Sequence, residues 1–325
     1  MRSKLRKYIF AAGSCMAMLL SATGTAAAAW PERPVEIIVP YTPGGATDTV
    51  TRAVAERLSQ RLGQTFIITN KPGANSTIGT AQAARAKPDG YTFVTVLAAY
   101  AVNPHLYKLS YKNSDFVPVS QMADLPLFLF VAKNLPVNTV QELVEYGKAH
   151  PGELTYASSG AGSSAHLTGA NFAYLGGFEM THVPYKGSAP ILADLLEGRV
   201  SMVFDPILVP MQYAKKGDLK VLGITSSKRW EDDPEIPTVA ESGFPGFSMA
   251  SWVGLLAPAG TPDDIVEKVS KEIVEIVQEP GIKEKFKAAG FVPVGEGSKA
   301  FGELIEKDSA MYGDIIAKAG ISLTQ

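Results

Sequence analysis

The 325-residue chain is poor in three things: it has one cysteine, no surplus of positive charge, and no long hydrophobic run after its first thirty residues. Each scarcity excludes something. The cysteine, Cys15, lies within "MRSKLRKYIFAAGSCMAMLLSATGTAAAAW". There a basic start (Arg2, Lys4, Arg6, Lys7) leads into an apolar stretch from Tyr8 to Leu20 and then into small residues. The apolar part is too short for a stable membrane span, and "AAA" at Ala27–Ala29 fits an A-x-A cleavage site. Residues 1–29 therefore read as a secretory signal peptide. A lipid anchor on Cys15 is the weaker alternative, because "AAGSC" lacks the usual large aliphatic residue three before the cysteine. Cleavage after Ala29 leaves no cysteine, which excludes disulfides, thiol nucleophiles and Cys-ligated metal sites. The whole chain has 30 basic and 32 acidic residues. Removing the leader takes four basic residues and no acid, leaving a net charge of −6. That argues against nucleic acid as a partner. It leaves small anions open, since a ring of N–H donors binds them without net positive charge.

What is present is an alternation of strand and helix signals. "VEIIV" (35–39), "TFIIT" (65–69) and "YTFVTVL" (91–97) read as strands. Between them, "DTVTRAVAERLSQRLG" places Val50, Val54, Leu58 and Leu62 on one helical face, and "STIGTAQAARA" (76–86) is a second helix with a Ser or Thr cap. A parallel sheet with right-handed crossovers is the expected outcome. The pattern restarts with "PLFLFV" (126–131), a helix at 139–150, strands at 154–158, 180–185, 200–204 and 219–225, and a helix at 188–198. A strand near 251–262 and helices at 263–278, 281–289 and 298–318 finish the chain. Two α/β units facing each other would leave a cleft at the carboxyl ends of their strands.

Each unit has a glycine-rich strand-to-helix turn. In "YTPGGATD", Gly44 and Gly45 allow backbone N–H groups to face an anion at a helix start. Equally, Pro-Gly-Gly is a plain turn with Thr47 or Asp48 as a cap. No Gly-Lys-Ser/Thr follows, so this is not a P-loop. In "SSGAGSSAH" (158–166), Gly160, Gly162 and Ala165 fit the G-x-G-x-x-A spacing of a dinucleotide site. That reading needs an acid or an Arg near the end of the next strand, where Tyr185 and Lys186 stand instead. Four serines and two glycines offering hydroxyls and N–H groups to an oxyanion are the simpler reading, and a capped helix start with Ser163 or Ser164 as cap is the bland one.

Hydrolytic motifs are missing: none of His105, His150, His166 and His182 belongs to H-E-x-x-H, and there is no G-x-S-x-G. His166 beside Ser163 and Ser164 leaves a Ser-His hydrolase as the rival function; packing in the first helical turn is its plainer role. "EDDPE" (231–235) reads as a solvated acidic loop. Asp205, after "SMVF", stands at the carboxyl end of a strand, as a cleft residue or as a turn residue before Pro206.

Taken together, "WPERPVEIIVPYTPGGATDTVTR", "NKPGANSTIG", "AKPDGYT", "NPHLY", "YASSGAGSSAHL", "HVPYKGSAP", "IPTVAESGFPGF" and "WVGLLAPAGTP" resemble the substrate-binding receptors of tripartite tricarboxylate transporters, the Bug family of extracytoplasmic solute receptors. The likeness runs from Trp30 nearly to the C-terminus. It implies an α/β, two-domain clamp of the periplasmic binding-protein type (type II-like) with the ligand cleft between domains. The first domain would combine 30–127 with 254–325, and the second would be 128–253. Strands near Phe128–Val131 and Trp252–Leu256 would form the hinge. The implied ligand is a small organic carboxylate: a di- or tricarboxylate, an aromatic acid or an acidic amino acid. Ser158, Ser159, Gly160 and Ser163 would hold one carboxylate, with His166 in the same set. Tyr41, Gly44, Gly45, Thr47 and Asp48 would close over the other end, often through ordered water. Asn103 and Asp205 would stand in the cleft wall, and Tyr41 could gate it. The resemblance implies no catalysis, no cofactor, no metal, a monomer in the periplasm, and membrane transporter subunits as the partner. Neither turn contains Arg or Lys, which fits moderate, releasable affinity.

Overall fold

The computed structural model describes residues 30–185, 189–206 and 208–322. The expected leader with Cys15, and Lys186, Gly187 and Ser188 of the "HVPYKGSAP" motif, lie outside these residues.

The first β-α-β-α-β run forms as its pattern predicts. Strands β1 (Val35–Val39), β2 (Phe66–Asn70) and β3 (Thr92–Leu97) are joined by helices α1 (Ala46–Leu62) and α2 (Thr77–Ala84). Both neighbours of β1 run parallel to it. Gly63, left-handed at φ 72°, ends α1 by donating its N–H to the Ser59 carbonyl. After β3 come helix α3 (Ala99–Leu106) and strand β4 (Phe116–Leu125). The chain then passes through residues 126–127 into a second sheet. There lie β5 (Phe128–Ala132), α4 (Val140–Ala149), β6 (Thr155–Ser158), α5 (Ser164–Gly176), β7 (Thr181–Pro184), α6 (Ala189–Leu196), β8 (Met202–Asp205), α7 (Leu208–Lys215) and β9 (Leu219–Ile224). It returns through β10 (Ser251–Pro258) and ends with α8 (Asp263–Ile276), α9 (Pro280–Ala288), β11 (Val292–Gly297) and α10 (Ser298–Lys318).

The sheet orders are β11-β4-β10-β3-β1-β2 and β7-β6-β8-β5-β9. Neither is wholly parallel. β10 runs antiparallel to β3 and β4, and β5 runs antiparallel to β8 and β9. These are the strands on either side of the passages between sheets. A strand that enters without a helical crossover is free of the constraint that makes neighbours parallel.

Four elements lie outside the sequence reading, and each contains proline. Pro104 sits in α3 and Pro118 in β4, where the register with β10 shifts between Leu255 and Leu256. Pro210 sits in α7, and Pro293 in the edge strand β11. Proline removes an N–H and argues against a regular element unless a bulge, an edge or a helix start accommodates it.

Strand β10 is buried along its whole length and alternates between two cores. Val253, Leu255 and Ala257 pack with β1, α1, α8 and α9. Trp252 and Leu256 face a second core that runs from Ile38 and Val94 of the first lobe to Phe172 and Phe204 of the second. Helix α10 lies against α3 and β4 and also touches α5 of the other lobe. The lobes therefore share apolar packing on the hinge side.

Candidate functional site

The first turn leaves β1 at Val39 and enters α1 at Ala46. Gly44 has φ 76°, a left-handed conformation that costs an L-residue about 1–2 kcal/mol. Its N–H donates to Asp48 Oδ2 at 2.9 Å, and the Gly45 N–H donates to the Thr42 carbonyl at 3.3 Å. The glycine N–H groups expected to face an anion are thus engaged within the turn. The Thr47 N–H, one step into the helix, carries no hydrogen bond within the described residues. Thr47 itself is buried.

Asp48 is also buried. It accepts from Arg52 Nε at 2.8 Å and from Asn70 Nδ2 at 2.7 Å, while Arg52 donates to Asn70 Oδ1 at 2.9 Å. Burial opposes its ionisation, but hydrogen bonds from Arg52, Asn70 and Gly44 outweigh that and hold the carboxyl below its ordinary range. Asp48 shapes the turn, and Arg52 is committed to it. Tyr41 is tied down on both sides: its hydroxyl accepts the Leu97 N–H at 3.2 Å and its carbonyl accepts from Asn70 Nδ2 at 3.1 Å. Burial pushes that hydroxyl well above the usual range.

A further turn at the same sheet end joins β2 to α2. Ala74, Asn75 and Ser76 all have positive φ (44°, 49° and 73°), and Ser76 is buried at the start of α2. Asn75 Nδ2 donates to Asn103 Oδ1 at 2.8 Å, and Asn103 Nδ2 donates back to the Asn75 carbonyl at 3.0 Å. Asn103, fully buried in α3, therefore braces this turn. Sequence reasoning missed Asn75 and Ser76 as candidates. The signal was there: "NKPGANSTIG" is a Pro/Gly turn between a strand and a helix, like "PGGATD".

The second turn joins β6 to α5. Ser163 caps the helix by accepting the His166 N–H at 3.3 Å. Ser158, at 0% exposure, shares a 2.7 Å hydrogen bond between its Oγ and His182 Nε2 and accepts the Gly160 N–H at 3.2 Å. The Gly162 N–H donates to His166 Nδ1 at 3.0 Å. The rings of His166 and His182 stack at 3.8 Å with 10° between planes, and Tyr156 lies against both. Burial lowers both imidazoles to about 4, with the neighbouring His182 adding to the effect on His166. Ser159 stands part-exposed on the turn. The N–H groups of Ser164 and Ala165, in the first turn of α5, carry no hydrogen bond within the described residues. Asp205 is buried and partnered at the carboxyl end of β8, opposite Phe128.

The second turn lies close to the first lobe at one point. A Cβ at Gly162 would lie 2.7 Å from Leu106 Cδ1, at the end of α3. A separate cavity of about 530 Å³ opens at the passage between the sheets. Asp124, Pro126, Trp230, Lys287 and Phe291 are among its lining, and no residue of either glycine-rich turn contributes. No helix among the described residues is long and apolar enough to cross a membrane.

Two α/β lobes, joined by crossing strands and each presenting a glycine-rich helix-start turn, define a two-domain clamp of the periplasmic binding-protein class. Within that class, residues 50–321 match the model of the tripartite tricarboxylate transporter family receptor, and the chain belongs to that family. It is 37% identical over 269 residues to protein BugT of Bordetella pertussis, covering 82% of each chain. Its fold is similar to Rpa4515 of R. palustris, solved with adipate (TM-score 0.78, 36% identity, 90% of this chain and 99% of that one). It is similar as well to MatC (Rpa3494) of Rhodopseudomonas palustris, solved with bound malate (TM-score 0.72, 30% identity, 88% and 100%).

Proposed function

We propose that this protein is an exported receptor that binds a small organic carboxylate in the periplasm, as a monomer, and delivers it to a membrane transporter of the tripartite tricarboxylate type. The observation that carries the reading is a pair of helix-start turns, one in each lobe, which offer the N–H groups of Thr47, Ser164 and Ala165, without a hydrogen bond among the described residues, at the starts of α1 and α5. Such N–H groups at helix N-termini suit a carboxylate, and its charge strengthens each hydrogen bond. Adipate in one relative and malate in another support the ligand class. The leader motif supports export.

We place the domains at 30–127 with 254–325 and at 128–253, with the passages between sheets as the hinge. Ser159 and the start of α5 hold one carboxylate, and the Tyr41–Asp48 turn closes over the far end, directly or through water. Ser158, Asp48, Asn103 and His166 serve by shaping the turns. The hydrolase alternative, Ser163 or Ser164 with His166, has less support: no hydrogen bond joins either hydroxyl to the His166 ring among the described residues, His166 Nδ1 accepts the Gly162 N–H, and Ser158, bonded to His182, is buried.

The test is a thermal-shift screen of residues 30–325 against malate, adipate, aromatic acids and acidic amino acids. A ligand at 100 times its Kd adds about 2.7 kcal/mol to stability, a shift of several degrees. No response to any acid, together with ester turnover abolished by His166→Ala, would transfer the function to the hydrolase class.

A further inference from the structure

The second turn is built on a stacked pair of histidines, and only one member of the pair belongs to the turn itself. His166 lies in the first turn of α5 and is 6% exposed; His182 comes from the middle of β7. Their rings are parallel at 3.8 Å, too close for two imidazolium ions to share without strong repulsion in a buried place. Each ring makes one hydrogen bond to the turn. His166 Nδ1 accepts the Gly162 N–H, so that nitrogen carries no proton and a neutral ring holds its proton on Nε2. His182 Nε2 meets the Ser158 hydroxyl at 2.7 Å, and the same oxygen takes up the Gly160 N–H. Tyr156 is the other titratable group in ring contact with the pair. No hydrogen bond or ion pair joins either ring to a carboxylate among the described residues.

We infer that His166 and His182 are a neutral positioning pair for the carboxylate-holding turn, fixing the backbone at Gly162 and the hydroxyl of Ser158 so that the free N–H groups of α5 face the ligand. The inference rests on the receptor reading given above and adds to it a pair of residues that touch the turn and not the cargo. A neutral pair also has a consequence for the ligand. A neutral pair adds no positive charge beneath the turn, so the N–H dipoles at the start of α5 are what it orients toward an anion. Protonating His166 would replace the acceptor of the Gly162 N–H with a donor and place a charge against the His182 ring. The turn would lose its shape at the same step that gives it positive charge.

Two measurements test the pair. In protein labelled with ¹⁵N at histidine, imidazole NMR at pH 7 should show His166 as the neutral Nε2–H tautomer, and both rings should stay neutral down to pH 5.5. A His166 that is cationic or protonated on Nδ1 at either pH overturns the inference. The second measurement uses variants. His166→Ala and His182→Ala should each shift the Gly162 amide resonance and weaken malate or adipate binding about tenfold or more, the usual scale for leaving a buried polar group unpartnered. His166→Asn, whose side-chain oxygen can stand where Nδ1 does, should recover most of the affinity, and His182→Gln should do so at Nε2. Recovery by these isosteres separates positioning from general loss of packing. Wild-type affinity in both alanine variants, or asparagine no better than alanine, overturns the inference. If the wild-type protein binds none of the acids in the thermal-shift screen, the receptor reading fails by itself. The tautomer and the Gly162 amide then still decide whether the pair positions the turn.

Discussion

At the residue scale, the candidate site divides into groups that face a ligand and groups that hold those groups in place, and Asp48 is the clearest of the second kind. Its carboxylate accepts the Gly44 N–H and ties Arg52 and Asn70 together. Arg52 is half exposed, so its share is screened. Asp48→Ala should cost about 2–3 kcal/mol, in the range for a charged hydrogen bond broken in the interior. It should also weaken ligand binding by loosening the turn. The folded carboxyl lies below its ordinary value of 3.8, so its contribution is present above that pH and is lost as pH falls through the folded value. Urea melts of wild type and Asp48→Ala at pH 7 and pH 3 check this, since the gap between them should shrink in acid. Tyr41, Asp48, Ser158 and His166 could be picked from the sequence by position, at the junctions of strands with helices. Their roles could not. Whether a side chain at a glycine-rich turn points out to a ligand or inward to its own backbone depends on the φ of residues such as Gly44 and Gly162, and on partners such as His182 and Asn70 that lie 24 and 22 residues away.

At the element scale, the strands that carry the chain between lobes hold an unusual load. Trp252 of β10 pairs in register with Asp124 of β4 and donates its indole N–H to Asp308 of α10 at 2.7 Å. Two carboxyls thus lie close together beside the hinge. Burial, reinforced by the charge of Asp308, pushes Asp124 up to about 6, against the hydrogen bond it receives from Gln121. A raised acid reverses the usual sign: its stability is complete below the ordinary value of 3.8 and is lost as pH rises through about 6. Asp124→Asn keeps the Gln121 bond and removes the charge. Its melting temperature should therefore exceed that of wild type at pH 7.5, by roughly 2–4 °C for each kcal/mol relieved, and match it below the ordinary value of 3.8. Scanning calorimetry across that range decides the matter; a pH-independent difference would assign it to packing. Elements such as α1, α8 and α10 were legible because their apolar residues keep helical spacing, and in α1 the left-handed Gly63 marks the end as well. Strands β4 and β11 were not. Proline, glycine and polar residues break their alternation, and their pairing is decided by a bulge and by an edge position. The antiparallel direction of β5 and β10 follows from the passages between lobes, which no local pattern records.

At the scale of the whole molecule, a clamp depends on what its lobes touch when they approach, and the contact between Gly162 and Leu106 is such a place. Gly162 has φ 76°, and a Cβ there would lie 2.7 Å from Leu106 Cδ1, so the tip of that leucine would have to move aside. The glycine therefore serves two scales at once: it permits the left-handed turn that gives its N–H to His166, and it lets α3 of the other lobe come near. Gly162→Ala should carry both penalties. The backbone term is about 1–2 kcal/mol and stays within the second lobe. The steric term acts between lobes and should hold the jaws apart. Calorimetric titration with malate or adipate should then show affinity reduced about tenfold or more, and small-angle scattering should show less compaction on adding ligand than in wild type. Trimming the opposing side chain separates the two terms. Leu106→Ala in the Gly162→Ala background makes room across the interface and leaves the turn strained. It should restore the ligand-induced compaction while recovering only part of the affinity. If the double variant compacts no better than the single one, the approach of α3 to this turn does not limit closure, and the weakened binding belongs to the turn alone.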